Sequence, residues 1–317
     1  MKRLLDCRPR LQLFISLGAV LAGLLLPTSA AGKNPQPCGA GVTVRLSAVT
    51  ASQGSLLLLE VRSRTPITEL SAEWNSKNVP FWKAKSASPN SKAGATELRR
   101  ALLGVDLEKA PGAYPAVVHV QTANGKPESC TLEIPIVKGR FATERLHVES
   151  EYVEPNAEQV KRANEERDQL RNIFDQVTPE RLWSGKFRVP LDGVTTGGNF
   201  GKRRILNDQP HSPHSGVDFP ATTGTPVHAT QAGKVVLAKE LYFSGNTVVV
   251  DHGLGIYTFY GHLSAIDVKV GDTVDAGQIL GKVGATGRVT GPHLHWGLTV
   301  ERARVNPLQL VALLQNE

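Results

Sequence analysis

Between residues 41 and 137 apolar positions recur with period two, in short bursts broken by turn-forming residues. Val42-Thr-Val-Arg-Leu46 alternates, residues 55–61 form a tight apolar run, and Ala116-Val-Val-His-Val120 leads to Asn124-Gly125, with Cys130-Thr-Leu-Glu-Ile134 beyond. An Asn-Gly pair between alternating segments predicts a hairpin, because both residues accept the positive φ of a tight turn. Leu103-Gly-Val-Asp-Leu107, followed by Pro111-Gly-Ala-Tyr-Pro115, adds another strand and turn. Several short strands over about 100 residues predict a β-sandwich of immunoglobulin type across residues 38–140. No chemistry-bearing side chains gather there, which fits a spacer, inhibitory or adhesion module.

The period then changes. Val160, Ala163, Leu170, Ile173 and Phe174 recur at helical spacing in a stretch rich in Glu, Gln, Arg and Lys. This predicts an amphipathic helix of about five turns, opened by Pro155 and ended before Thr178-Pro179, inside a linker over residues 141–186. Period two returns over residues 187–312. Segments 233–237, 245–250 and 256–260 read as successive strands, the last two joined by Asp251-His-Gly-Leu-Gly255. No long helix separates them, so the sheet is expected to be antiparallel. The fold class is mainly β: a β-sandwich, a linker helix and a small antiparallel C-terminal domain.

At the N-terminus Lys2, Arg3, Arg8 and Arg10 precede an apolar run from Leu11 to Leu26 and the small residues Thr28-Ser-Ala-Ala31. That order predicts a signal peptide over residues 1–31, cleaved near Ala30 or Ala31. The run is shorter than the roughly 20 residues of a spanning helix, so no permanent anchor is expected. No cysteine directly follows the apolar core, which argues against a lipid anchor. The formal charge of +7 includes four basic residues and one acidic residue among the first 30, leaving +4 on the mature chain. Such a mild bias suits a polyanionic envelope and asks for no nucleic-acid partner. The mature cysteines, Cys38 and Cys130, form an even pair that export would oxidise to a disulfide. The expected location is the periplasm or the exterior, in association with the cell envelope.

The chemistry concentrates in three stretches: His214-Ser-Gly-Val-Asp218, Tyr260-Gly-His262-Leu263 and His293-Leu-His295-Trp296. Imidazole and carboxylate are ligands that zinc accepts in place of thiolate, and a catalytic ion needs three protein ligands and an open position. His293 and His295 share a face of an extended strand, with Cα atoms roughly 7 Å apart. A nitrogen of His295 about 2 Å from the ion would leave His293 just outside its coordination shell, placed to handle protons. A fully extended strand would separate His214 from Asp218 by roughly 13 Å, so a bend or bulge near Gly216 is expected to turn both inward. His262 is expected at a strand end and sheet edge, facing the same cleft. The remaining histidines read as structural, His211 being the one rival for the metal.

These residues resemble the LytM and lysostaphin family of zinc metalloendopeptidases, which cut peptide bonds in bacterial peptidoglycan. The resemblance rests on Ser212-Pro-His-Ser-Gly-Val-Asp-Phe219 and Gly287-Arg-Val-Thr-Gly-Pro-His-Leu-His-Trp-Gly297, within residues 189–310. It implies one Zn2+ per chain held by His214, Asp218 and His295, with His262 and His293 as the catalytic pair. The implied fold is a small antiparallel β structure with a narrow groove over the metal. The implied substrates are stem or cross-link peptides of peptidoglycan. Two other classes can be set beside this one. Residues 268–281 resemble the hairpin of biotinyl and lipoyl carrier domains, yet the Met-Lys attachment tip is absent. A non-catalytic activator of another cell-wall hydrolase would have no need of an intact ligand set.

Overall fold

The computed structural model describes residues 35–85, 97–149, 152–194, 197–315 and 317. The expected signal peptide lies outside the described residues.

The first hundred described residues build two five-stranded sheets. One runs in the order Gln36–Pro37, Val42–Leu46, Leu56–Ser63, Glu97–Gly104, Trp82–Lys83; the other, Ala51–Ser52, Glu128–Val137, Gly112–Thr122, Ile67–Trp74, Lys77–Asn78. Val44, Leu59, Ala101 and Leu103 of the first sheet share one core with Ala72, Val118 and Ile134 of the second. In Val42–Leu46 the apolar residues are buried and Thr43 and Arg45 are exposed, as period-two alternation requires. Glu128–Val137 pairs antiparallel with Gly112–Thr122, closing the Asn124-Gly125 hairpin. Cys38 and Cys130 form a disulfide across 92 residues, with Cα atoms 5.3 Å apart.

The run at 55–61 is continuous because its strand is covered on both faces. Leu57 and Leu59 enter the sandwich core, while Leu56 and Leu58 join a second cluster with Trp82, Trp183, Phe187, Ile256, Leu298 and Leu310. That cluster ties the outer face of the first sheet to the C-terminal region. One expectation is corrected here. The strand placed at 103–107 runs instead over Glu97–Gly104, and Gly112–Pro115 already belongs to the next strand. The Asp106 carboxylate accepts from the Glu108 N–H at 2.9 Å, so the chain turns there rather than at Pro111.

Helix α1 (Ala157–Asp175) starts at a capping box, Asn156 and Gln159 each accepting from the other's backbone N–H. Its apolar stripe engages only at the C-terminal end. Leu170, Ile173 and Phe174 pack on Leu237, Leu241, Val249 and Tyr257, while Val160 stays exposed.

The C-terminal region is a nine-stranded sheet with the path Gly216–Pro220, His293–Val300, Ile256–Ile266, Gly245–Asp251, Gly233–Leu241, Thr273–Val274. Pro226–His228, Ile279–Val283 and Ala303–Val305 add to it. Its pairings are antiparallel throughout, as expected. Val217, Phe219, Val248, Val250, Tyr260, Leu294 and Trp296 fill its core. Helix α2 (Pro307–Leu313) follows the last strand. Among the described residues no helix is long and apolar enough to cross a membrane.

The His252 ring is fully buried beneath this sheet. Its Nδ1–H donates to the Ala232 carbonyl at 2.8 Å, so Nε2 accepts from the Thr258 hydroxyl at 2.7 Å. Thr258 Oγ1 lies 3.0 Å from the Tyr260 hydroxyl, which accepts from the Thr230 N–H at 3.0 Å. This chain of bonds braces the strand that carries His262.

Two outcomes follow from these contacts. Burial pushes the His252 imidazole from 6.5 down to about 4. The unfolded chain therefore binds a proton that the folded chain refuses, and stability falls as pH drops from 6.5 towards 4. His252→Gln should flatten this limb by roughly 2–4 kcal/mol relative to the parent, read from urea unfolding midpoints across pH 4–8. Cys38→Ser with Cys130→Ser should cost about 4.6 kcal/mol in the chain-entropy treatment of a 92-residue separation, measured as the shift in unfolding free energy.

Candidate metal centre

The site is set by strand register. Gly216–Pro220 pairs antiparallel with His293–Val300, with Asp218 opposite His295 and Pro220 opposite His293. Directly opposed residues have Cβ atoms about 5 Å apart on one face. On the other face Val217, Phe219, Leu294 and Trp296 are fully buried, so a register slip would drive Asp218 and His295 into the core. The apolar positions thereby fix the polar ones.

His214 stands just before this strand, outside the ladder. Its N–H bonds the Lys202 carbonyl at 2.9 Å and its carbonyl accepts from Gly201 at 2.8 Å, which turns the buried ring back over Asp218. No register shift interrupts the pairing at Gly216. The inward turn expected of a bulge comes instead from these loop contacts. Gly216 has a separate purpose: a Cβ there would lie 2.6 Å from the His295 ring and 2.7 Å from the Trp296 carbonyl.

Three donor atoms converge. His214 Nε2 lies 3.1 Å from Asp218 Oδ1 and 2.8 Å from His295 Nδ1, and His295 Nδ1 lies 3.0 Å from Asp218 Oδ1. Ligands about 2.0–2.1 Å from a tetrahedral zinc stand about 3.3 Å apart, so the triangle is nearly the size of one face of such a shell. The His214 Nδ1–H donates to the Asn199 carbonyl at 3.0 Å, leaving Nε2 unprotonated and aimed at the other two donors. Asn199 adopts φ 75°, a backbone conformation that Asn tolerates, and its amide reaches Asp218 Oδ2 at 3.4 Å. These residues form a possible His/Asp metal site, the one such group of three among the described residues.

Protonation follows from the packing. Burial pushes the His214 imidazole down to about 4, against the opposing pull of Asp218. Burial alone would raise the Asp218 carboxyl, but the His214 and His295 rings set against it outweigh that penalty and hold the group well below the usual carboxylate range. A neutral imidazole beside an ionised carboxylate is the form that binds a divalent cation.

His262 and His293 face the same groove, their rings 4.8 Å apart. The His262 Nδ1–H donates to the Thr286 carbonyl at 2.8 Å and the His293 Nδ1–H to the Gly291 carbonyl at 2.9 Å, so each leaves Nε2 free. His293 Nε2 is 3.7 Å from Asp218 Oδ1. His262 corrects the expectation of a strand end. It lies inside Ile256–Ile266, flanked by paired strands on both sides. The ladder shifts register there, Thr247 standing opposite both Gly261 and His262, and His262 takes φ 63°. This bulge re-aims its ring. Burial, then repulsion from His295 and His293, lowers His262 to about 3.

Two cavities of about 250 and 330 Å³ flank the donor cluster and share Arg204, His262 and Arg288 in their walls. Arg204 belongs to the hairpin Arg203–Leu206 and Gln209–His211, which pairs in parallel with Thr143–Leu146. From this hairpin Arg204 and Leu206 line the groove, with Glu144, Leu146 and Val148 beside them. His211 ends this hairpin and is not part of the donor cluster. Sequence reasoning missed Asn199, Thr286 and Gly291, whose carbonyls orient the three rings. No local pattern marks a backbone acceptor.

Residues 212–307 match the profile of Peptidase family M23. Peptidoglycan DD-endopeptidase ShyA of Vibrio cholerae is 35% identical over 173 residues, covering 54% of this chain and 35% of that protein. DD-carboxypeptidase/endopeptidase Mpg of Neisseria meningitidis is 40% identical over 97 residues, 31% of this chain and 22% of Mpg. The chain therefore spans about a third or less of these relatives. A crystal structure from Pseudomonas aeruginosa, assigned to peptidase M23, matches with 27% identity and TM-score 0.54, over 82% of this chain and 94% of that one.

Gly216→Ala should displace His295 and weaken metal affinity by roughly tenfold or more while the sheet stays folded. Zinc competition with a chromogenic chelator, beside circular dichroism, would measure both.

Proposed function

We propose, from the premise that this chain carries a peptidase family M23 domain, that it is an exported zinc endopeptidase hydrolysing peptide cross-links of bacterial peptidoglycan. The observation that carries this reading is the triangle of donor atoms with two further imidazoles over the same groove. Relatives named peptidoglycan DD-endopeptidases support the substrate class. The leader-like N-terminus and the Cys38–Cys130 disulfide support export to an oxidising compartment, periplasmic or extracellular. In this reading residues 1–31 are a signal peptide, 38–140 an immunoglobulin-like module, 141–186 a linker and 187–312 the catalytic domain.

His214, Asp218 and His295 would hold the ion. A bound zinc supplies Lewis-acid chemistry, polarising the scissile carbonyl and acidifying water. His262 and His293 present unprotonated Nε2 atoms to the space beside Asp218. One of them takes the proton of the attacking water and returns it to the leaving amine. The other accepts a hydrogen bond from the second O–H of that water and keeps it aimed at the scissile carbonyl. The bulge at His262 and the carbonyls of Thr286 and Gly291 hold both rings, so little reorganisation accompanies proton transfer. A binding protein that only recruits another hydrolase would not need both an open metal position and two free imidazoles.

The test is digestion of purified sacculi by the mature protein, with muropeptides identified by mass spectrometry. His262→Ala should keep its zinc and lose at least about a hundredfold in turnover, whereas His295→Ala should lose both. Zinc lost from the His262 variant would show that the division of roles is wrong, and intact sacculi from the zinc-loaded parent would refute the endopeptidase.

A further inference from the structure

Two guanidinium groups stand in the groove, and among the described residues the one ion pair either makes there is between Arg204 and Asp218, a donor of the metal centre. Arg204 and Arg288 are half-buried and line both cavities beside the donor cluster. Arg204 Nη2 is 3.8 Å from Asp218 Oδ2, and its buried Nε has no hydrogen-bond partner. The Arg288 guanidinium lies 4.4 Å over the Phe243 ring, and among the described residues no carboxylate forms an ion pair with it. The nearest carboxylates are committed elsewhere. Asp218 Oδ1 lies 3.1 Å from His214 Nε2 and 3.0 Å from His295 Nδ1, and Glu144 accepts from Lys202 at 3.0 Å.

Like charges held close in a partly desolvated groove repel strongly. Burial, then the presence of Arg204, pushes Arg288 down to about 10, so it remains charged at neutral pH. His211, next to both, is also lowered, first by burial and then by the two arginines, and its Nε2 is buried without a partner. Asp218 and Glu144 are the negative charges felt by Arg204; a divalent ion on Asp218 would offset the first, and Lys202 already pairs with the second. The groove is then strongly positive over a short distance. Planar guanidinium groups are built for bidentate recognition of carboxylate.

We infer that Arg204 and Arg288 form a carboxylate-binding subsite beside the metal centre, selecting peptides that carry a free carboxylate next to the scissile bond. This inference rests on the endopeptidase reading for the peptide nature of the substrate. It does not depend on that reading for the anion. Phe243 holds the Arg288 plane by stacking, and the hairpin wall holds Arg204. The carboxylate can be the α-carboxylate of a chain end or that of a side chain, and amidating each in turn separates the two.

The experiment measures binding and cleavage side by side. Zinc-loaded protein is titrated calorimetrically with a non-cleavable cross-link peptide in three forms: both carboxylates free, α-carboxylate amidated, side-chain carboxylate amidated. Cleavable versions are followed by chromatography. The parent should bind the free form about ten to a hundred times more tightly than one of the amides, as expected for a charge-assisted bidentate contact. Raising the salt should shrink that ratio in the unaltered protein. Arg288→Gln should bring the ratio close to one, and Arg288→Lys should recover part of it, with zinc content checked in each. A ratio near one in the parent, or one unchanged in Arg288→Gln, overturns the subsite. A clear ratio without cleavage leaves the subsite standing and removes the endopeptidase. Cleavage with no ratio does the reverse.

Discussion

The antiparallel pairing of Gly216–Pro220 with His293–Val300 is the constraint on which the site depends. It sets Asp218 against His295 on one face and presses Val217, Phe219, Leu294 and Trp296 into the core on the other. Because side chains alternate along a strand, the polar pair cannot move without exposing the apolar set. Burying those four side chains contributes roughly 1.5–3 kcal/mol each, enough to hold two metal ligands in register before any ion arrives. The cost of assembling the donors is thus met by ordinary sheet packing.

Around that pair the chain adds groups that need more than a ladder. His214 reaches the cluster from a loop clasped to Gly201 and Lys202, and His262 from a bulge in a central strand. Each ring is oriented by a backbone carbonyl, from Asn199, Thr286 or Gly291. These acceptors do for the site what conserved carboxylates do in many metal centres: they fix the tautomer and leave the other nitrogen free. Below the sheet, His252, Thr258 and Tyr260 form a buried polar chain in which the described ring nitrogens and hydroxyls find partners. It stiffens the strand that bears the bulge.

The groove is not the property of the C-terminal sheet alone. Its wall includes Glu144, Leu146 and Val148, which follow the sandwich in sequence, and the parallel pairing of Thr143–Leu146 with Arg203–Leu206 seats them there. A cluster built on Leu56, Leu58 and Leu310 fastens the sandwich to the C-terminal strands behind the site. Removing the two N-terminal sheets would expose that cluster. Residues 144–148 are therefore a structural part of the cleft, while the N-terminal sheets pack against the C-terminal strands away from it.

Alternation in the sequence was enough to place Val42–Leu46, the Asn124-Gly125 hairpin and the antiparallel C-terminal strands, because each is a local rule with a period of two. Helical spacing likewise placed helix α1, whose apolar packing on the sheet comes from Leu170, Ile173 and Phe174. The grouping of His214, Asp218 and His295 was legible from residue type and spacing, since few other side chains serve a divalent ion. Distances between separate stretches were not legible. The close approach of His214 to His295 spans 81 residues, and the bulge at His262 arises only when Gly245–Asp251 pairs one residue short. Nor do Arg204 and Arg288 announce themselves: a basic residue on a strand or turn is usually solvated. Only the tertiary structure turns both into one groove, because their neighbours are set by strand pairing between distant segments, and no local pattern records which segments will meet.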